Sequence, residues 1–291
     1  MPDSRENVGV IGATSLVGRP LISQLTSGGF MVKAFTRGCI GEESNPGIEW
    51  LGLTTQELPH SVDLSIPIWV CVAPIWCLSS YFPLLEMYGV KRIVALSSTS
   101  IFVKNSSPDS EEKKVAHMLA KGEEELATWA GQNSIEWLIV RPTLIYGSGN
   151  DKNVAEIARF IGKFGFFPLI GEAVGLRQPI HAEDVAGACM SVLVRDDLAN
   201  RSYNISGGEK ITYREMVKRI FIAKGRSVFM PSVPLWIFRI AISMLKMVPR
   251  YRYWTQSMAI RMNQDLVFDC SDARKDFSFN PRPFILSEED V

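Results

Sequence analysis

Val8–Gly18 reads V-G-V-I-G-A-T-S-L-V-G. A short Val/Ile run stops at Gly12, small residues follow, and from Leu16 apolar residues recur with helical spacing (Leu16, Val17, Pro20, Leu21, Leu25). Strand, glycine turn and helix in this order aim free backbone N–H groups and the positive end of a helix at a phosphate. The glycines allow a tight turn and let a pyrophosphate approach the backbone. The chemistry expected of Gly12, Thr14, Ser15, Leu16, Val17 and Gly18 is therefore cofactor binding, although small-residue turns also join strands to helices with no ligand present. A second apolar run, Met31–Phe35, ends at Thr36-Arg37. This lies about 20 residues past the loop, where an acidic residue would hold the ribose 2′-hydroxyl of NAD. A guanidinium at Arg37, with Arg19 nearby, suits a 2′-phosphate instead. NADP is expected ahead of NAD, with two solvated surface arginines as the other reading.

The motif G-A-T-S-L-V-G resembles the G-x-x-G-x-x-G loop of the extended and atypical short-chain dehydrogenases, the NAD(P)-dependent epimerase/dehydratase group. Gly12 and Gly18 match the outer glycines and Ser15 stands at the middle one, which implies altered rather than lost cofactor affinity. Ala73-Pro74 occupies the turn that in this group passes beside the cofactor. Ser97–Phe102 resembles the group's S-S-x-x-V-Y segment, which implies that Ser98 hydrogen-bonds a substrate hydroxyl or carbonyl, with Thr99 beside it. A polar strand-end turn is the plain alternative. Arg141–Gly147 is similar to R-P-x-x-x-Y-G, placing Pro142 beside the nicotinamide and Tyr146 at the substrate. Arg177–Ala186 resembles R-x-x-I/V-H-V-x-D-V-A. It implies Arg177 near a substrate diphosphate, a surface salt bridge being the alternative, and Asp184 reads as a helix N-cap.

Where the group carries its catalytic Y-x-x-x-K, this chain has His117-Met118-Leu119-Ala120-Lys121. Glu125 follows where an acidic residue is often found, and no Tyr of the chain has Lys four residues on. Positions i and i+4 share a helix face. A histidine with an unperturbed pKa of about 6.5 suits proton transfer without a neighbouring lysine. The resemblance thus implies Ser98, His117 and Lys121 as catalytic residues, with Lys121 also at the cofactor. The same two residues equally form a solvated polar face with Lys114, Glu124 and Thr128, opposite an apolar side of Val115, Met118, Leu119, Leu126 and Trp129.

Elements that must position these residues follow from periodicity. Strands are expected at Ile48–Leu53, Ile66–Ala73, Arg92–Leu96, Ile135–Val140 and Tyr203–Ser206. Helices are expected at Leu78–Tyr88, from about Ser110 to Trp129, at Val154–Phe164, and from a Thr212 cap to Ala223. Leu64–Leu85 has the length and apolarity of a membrane span, but three prolines interrupt it, and a strand buried on both faces reads the same way. Val233–Val248 is expected to pack as a helix of a C-terminal lobe, with an interfacial amphipathic helix as the alternative.

The fold class expected is α/β: a Rossmann-type parallel sheet with helices on both faces and a smaller C-terminal substrate lobe. Residues 1–146 and 179–206 would form the first part, and 147–178 and 207–291 the second. Over 291 residues, 31 basic and 31 acidic side chains balance, which argues against a nucleic-acid footprint. Five cysteines without C-x-x-C pairing, and no histidine cluster, predict free thiols, a reducing cytoplasm and no metal site. No signal peptide or transmembrane segment is expected, and a homodimer stays open. Two functions follow from the resemblance: an oxidoreductase or epimerase on a small-molecule substrate such as a nucleotide sugar, or a non-catalytic NADP-binding scaffold or sensor.

Overall fold

A computed structural model describes residues 6–38, 45–53, 65–103, 109–237 and 256–291, with the side chains of 256–258 left aside. Seven parallel strands form the central sheet: β1 (Asn7–Ile11), β2 (Met31–Thr36), β3 (Ile48–Gly52), β4 (Ile68–Cys71), β5 (Arg92–Leu96), β6 (Glu136–Pro142) and β7 (Arg201–Ile205). Their spatial order is 7-6-5-4-1-2-3. The chain moves outward in one direction from β1 through β3 and in the other from β4 through β7. The two directions part between β1 and β4, where Ile11 pairs with Cys71 on one side and Phe35 on the other. A parallel sheet binds its ligands outside the carboxyl ends of its strands at such a reversal point.

Both faces of the sheet are covered, which is why β1, β2, β4 and β5 read as almost unbroken apolar runs. On one face α1 (Gly18–Ser27) and α6 (Ala182–Leu193) bury Leu21, Leu25, Val185 and Val192 against Val8, Val10 and Val32. On the other, a 3₁₀ turn (Ile75–Tyr81), α2 (Phe82–Met87) and α4 (Ser110–Gln132) cover Trp69, Ile93 and Ile139. Gly9, in the middle of β1, is required by this packing, since a Cβ there would lie 2.4 Å from the Trp69 ring. A further core joins α5 (Val154–Phe164) and α7 (Tyr213–Ala223) to Tyr146, Met262 and Phe284. Short α3 (Ser100–Val103) follows β5.

Several expected boundaries move. The fourth strand is confined to Ile68–Cys71, and the helix expected over Leu78–Tyr88 divides into the 3₁₀ turn and α2. Pro83 explains the division: it suits the first turn of a helix but cannot sit in a helix interior. Asp184 is not the N-cap of α6. The helix begins two residues earlier, and the His181 ring accepts the Glu183 N–H at 3.3 Å. The Asp184 carboxylate instead accepts Arg282 N–H at 3.0 Å and its Nε–H at 2.9 Å. Most of Val233–Val248 lies outside the described residues, which resume at 256. Among the described residues, no helix is long and apolar enough to cross a membrane.

Candidate functional site

The glycine loop is built by close approach. Gly12 adopts φ +87°, and a Cβ there would meet Ala73 N at 2.6 Å; at Gly18 one would meet Gly12 O at 2.3 Å. Any larger residue at these two positions would push the loop off the end of β4. Ser15 N donates to Gly12 O at 2.9 Å, and the Ser15 hydroxyl accepts the Gly18 N–H at 3.0 Å. The residue that replaces the middle glycine therefore closes the turn itself and, as an acceptor there, keeps its one O–H donor. Thr14 is exposed, Leu16 half-buried, and Val17 buried under the loop. No acidic side chain lies in the first turn of α1. Its positive end is uncompensated, and the loop fits the pyrophosphate of a dinucleotide. Arg37 is exposed at the end of β2 and Arg19 is exposed in the first turn of α1.

Beside the loop, a cavity of about 300 Å³ opens between the ends of β4 and β5 and the flank of α4. Ala73 and Pro74 line it on the cofactor side, Ser97 and Ser98 at the end of β5, and Val115 and Leu119 from α4. Ser98 is half-buried there, and its hydroxyl accepts the Ser100 N–H at 3.1 Å. Thr99 does not line the cavity. It is buried, and both its N–H and its hydroxyl donate to the Pro142 carbonyl at 3.1 Å, tying β5 to β6.

One ion pair fixes how α4 lies. Glu123 is 8% exposed, and its carboxylate takes the Arg141 guanidinium bidentately at 2.8 and 2.5 Å and the Ser97 hydroxyl at 2.5 Å. The Arg141 guanidinium also lies over the Phe102 ring, 5.5 Å from its centre. At the preceding residue, Gly122 lies so close to the 3₁₀ turn that a Cβ would sit 3.0 Å from the Ile75 carbonyl carbon. With these two residues inward, Leu119 and Val115 face the cavity at the i−4 spacing from Glu123. His117 is two residues from each, about 200° round the helix, and is exposed. Lys121 is likewise exposed, with Nζ 3.5 Å from Glu125. Neither His117 nor Lys121 lines the cavity that Ser98 lines. Glu123, Arg141, Val115 and Leu119 were not singled out as site residues from sequence.

Tyr146 and Arg177 are also drawn into the interior. Tyr146 is fully buried, edge-on to His181 and Phe284, and its hydroxyl donates to the Ile285 carbonyl at 3.3 Å. Burial pushes its pKa upward. Arg177 is 4% exposed and donates to the carbonyls of Leu176, Gln264 and Arg261 at 2.8, 2.7 and 2.5 Å, its guanidinium over Tyr213. Burial lowers it to about 10. Its bonds go to backbone carbonyls of Leu176 and of the 261–264 segment, neither to a surface carboxylate nor to the cavity. Pro142 is buried, and its carbonyl accepts the Thr99 N–H.

The NAD dependent epimerase/dehydratase family model matches residues 82–206. The chain is 22% identical over 264 residues to the UDP-glucose 4-epimerase of Vibrio cholerae, spanning 79% of each chain. Among solved structures, an epimerase from Methanothermobacter thermautotrophicus superposes with TM-score 0.74 at 15% identity, over 99% of this chain and 90% of that one. MoeE5 in complex with UDP-glucose and NAD gives 0.66 at 19% identity, over 96% and 94%. These structural likenesses concern the fold. Over residues 82–206 the chain is thus similar to the NAD dependent epimerase/dehydratase family.

Proposed function

We propose that this chain binds NADP(H) across the Gly12–Gly18 loop and acts as a cofactor-dependent binding protein rather than as an oxidoreductase. The observation that carries this reading is the rotation of α4, which turns Val115 and Leu119 to the cavity and His117 and Lys121 to solvent. In the family pattern an acidic residue follows the catalytic Lys by four. The buried Glu123 stands four past Leu119, itself four past Val115. Read in that register, the Tyr and Lys positions are held by two hydrocarbons. Neither can donate or accept a proton, and general acid–base help of this kind is typically worth 10²–10⁴-fold in rate.

The cofactor itself would supply hydride chemistry when bound. The residues of this chain would hold it: the backbone N–H groups of Leu16 and Val17 at the pyrophosphate, Ala73-Pro74 beside the loop, and Arg37 with Arg19 at the 2′-phosphate. The arginine fork supports NADP over NAD. A second reading, an epimerase or oxidoreductase on a nucleotide sugar, is favoured by the Ser98 hydroxyl in the cavity and by the similarity to the UDP-glucose 4-epimerase of Vibrio cholerae. Calorimetry with NADP⁺ and NAD⁺, together with the mass of any nucleotide carried through native purification, tests the binding reading. NADP⁺ is expected to bind the more tightly; failure of both to bind would end it.

A further inference from the structure

The cavity next to the cofactor loop carries more information than the absence of an acid–base pair. Its chemistry is divided between two ends. At the β5 end it presents hydroxyls from Ser98 and Ser100. From there to α4 its wall is hydrocarbon and indole: Trp76 from the 3₁₀ turn, then Val115 and Leu119. Among the described residues, no carboxylate, lysine or arginine lines it. Behind Ser97, the charges of Glu123 and Arg141 are paired with each other. A hexose ring carries a hydroxyl on nearly every carbon. Pressed against Trp76, Val115 and Leu119, those hydroxyls would lose water without gaining partners, at a cost of about 1–3 kcal/mol each. The size points the same way, because about 300 Å³ is at the lower limit of small-ligand sites.

We propose that this cavity takes a compact apolar group bearing a single hydroxyl or carbonyl oxygen, an aryl or cyclic ketone or alcohol, with the oxygen at Ser98 and the hydrocarbon against Trp76, Val115 and Leu119. The inference rests on the reading that a dinucleotide lies across the adjacent glycine loop, and it names the class of ligand that would sit beside it. The Ser98 hydroxyl already accepts from Ser100 N–H, so its own proton is the group available to a ligand oxygen.

The test uses acetophenone as the probe and UDP-glucose as the polar comparator, each titrated against the full chain with and without saturating NADP⁺, followed by saturation-transfer NMR. Acetophenone is expected to bind saturably. Val115→Asn should weaken it about tenfold and Ser98→Ala about three- to tenfold, with NADP⁺ affinity unchanged in both. UDP-glucose should show no change with either variant. Because Leu119 is buried and its replacement endangers folding, the less buried Val115 and the Trp76→Ala change serve as the two independent wall variants. Saturable UDP-glucose binding that excludes acetophenone would overturn the proposal, as would acetophenone binding indifferent to Val115, Trp76 and Ser98. If NADP⁺ fails to bind while acetophenone still responds to these variants, the cofactor reading falls and the cavity assignment stands.

Discussion

Replacing Glu123 by Gln tests what holds α4 in its rotation. Glu123 is 8% exposed, and its carboxylate accepts three close bonds, two from Arg141 and one from Ser97. Gln keeps the shape and one acceptor oxygen but removes the charge, leaving the Arg141 guanidinium without its counter-ion. Breaking a buried ion pair from one side costs about 3–5 kcal/mol. Arg141 keeps 18% side-chain exposure and the face of Phe102, which place the expected loss toward ~3 kcal/mol. At about 2–4 °C per kcal/mol, the expected fall in Tm is ~6 °C or more. Melting followed by circular dichroism measures this, and Glu125→Gln on the exposed side is the control, expected within ~1 °C because surface changes stay within about ±0.5 kcal/mol. Equal melting of Glu123→Gln and wild type would refute the claim that this pair sets the helix register.

The remaining predictions are more local. Gly12→Ala should abolish cofactor binding and lower stability by roughly 1–3 kcal/mol, because the residue sits at φ +87° and the added Cβ meets Ala73 N; nucleotide titration and melting check it together. Arg37→Ala should cost NADP⁺ about 1.5–3 kcal/mol of binding and NAD⁺ little; equal losses for both cofactors would remove the 2′-phosphate role. Asp290 supplies a pH dependence. Its burial opposes ionisation, but the Ser287 N–H and hydroxyl and the His181 ring outweigh it and hold its carboxyl below the ordinary aspartate value. Its stabilisation is therefore present above the unfolded pKa of about 3.9 and lost as pH falls through the lower folded value. Wild type should lose more Tm than Asp290→Asn between pH 5 and pH 3, and parallel losses would contradict it.

Much of the fold was legible because its signals are local. β5 falls at Arg92–Leu96 and α5 at Val154–Phe164, as periodicity predicted, and Thr212 caps α7 by accepting Glu215 N–H. The glycine loop was legible for the same reason, since the residue types required by a tight phosphate turn sit within one short stretch. The inner site was not, because it depends on a rotation that no local pattern fixes. Glu123-Glu124-Glu125 offers three acidic residues in a row, and sequence matching settled on Glu125 because it lies four past the one lysine in reach. Only the burial of Glu123 against Arg141 and Ser97 selects among them. One signal did exist: Val115 and Leu119 belong to the apolar side of α4, the side that a helix covering a sheet must turn inward. Tyr146 and Arg177 were misleading in another way. Their motif context predicted ligand contacts, whereas burial and bonds to carbonyls of Ile285, Leu176, Gln264 and Arg261 make them tie distant segments together.

The central claim is that the chain holds its dinucleotide beside a cavity that lacks a proton-transferring pair on α4. Single-turnover oxidation of bound NADPH, in the presence of acetophenone or an oxidised nucleotide sugar, tests it most directly when wild type and His117→Ala are compared from pH 5 to 9. The account predicts bound NADPH, negligible oxidation in both proteins, and no pH-dependent difference between them. Brisk oxidation in wild type with an apparent pKa near that of imidazole, abolished in His117→Ala, would contradict it.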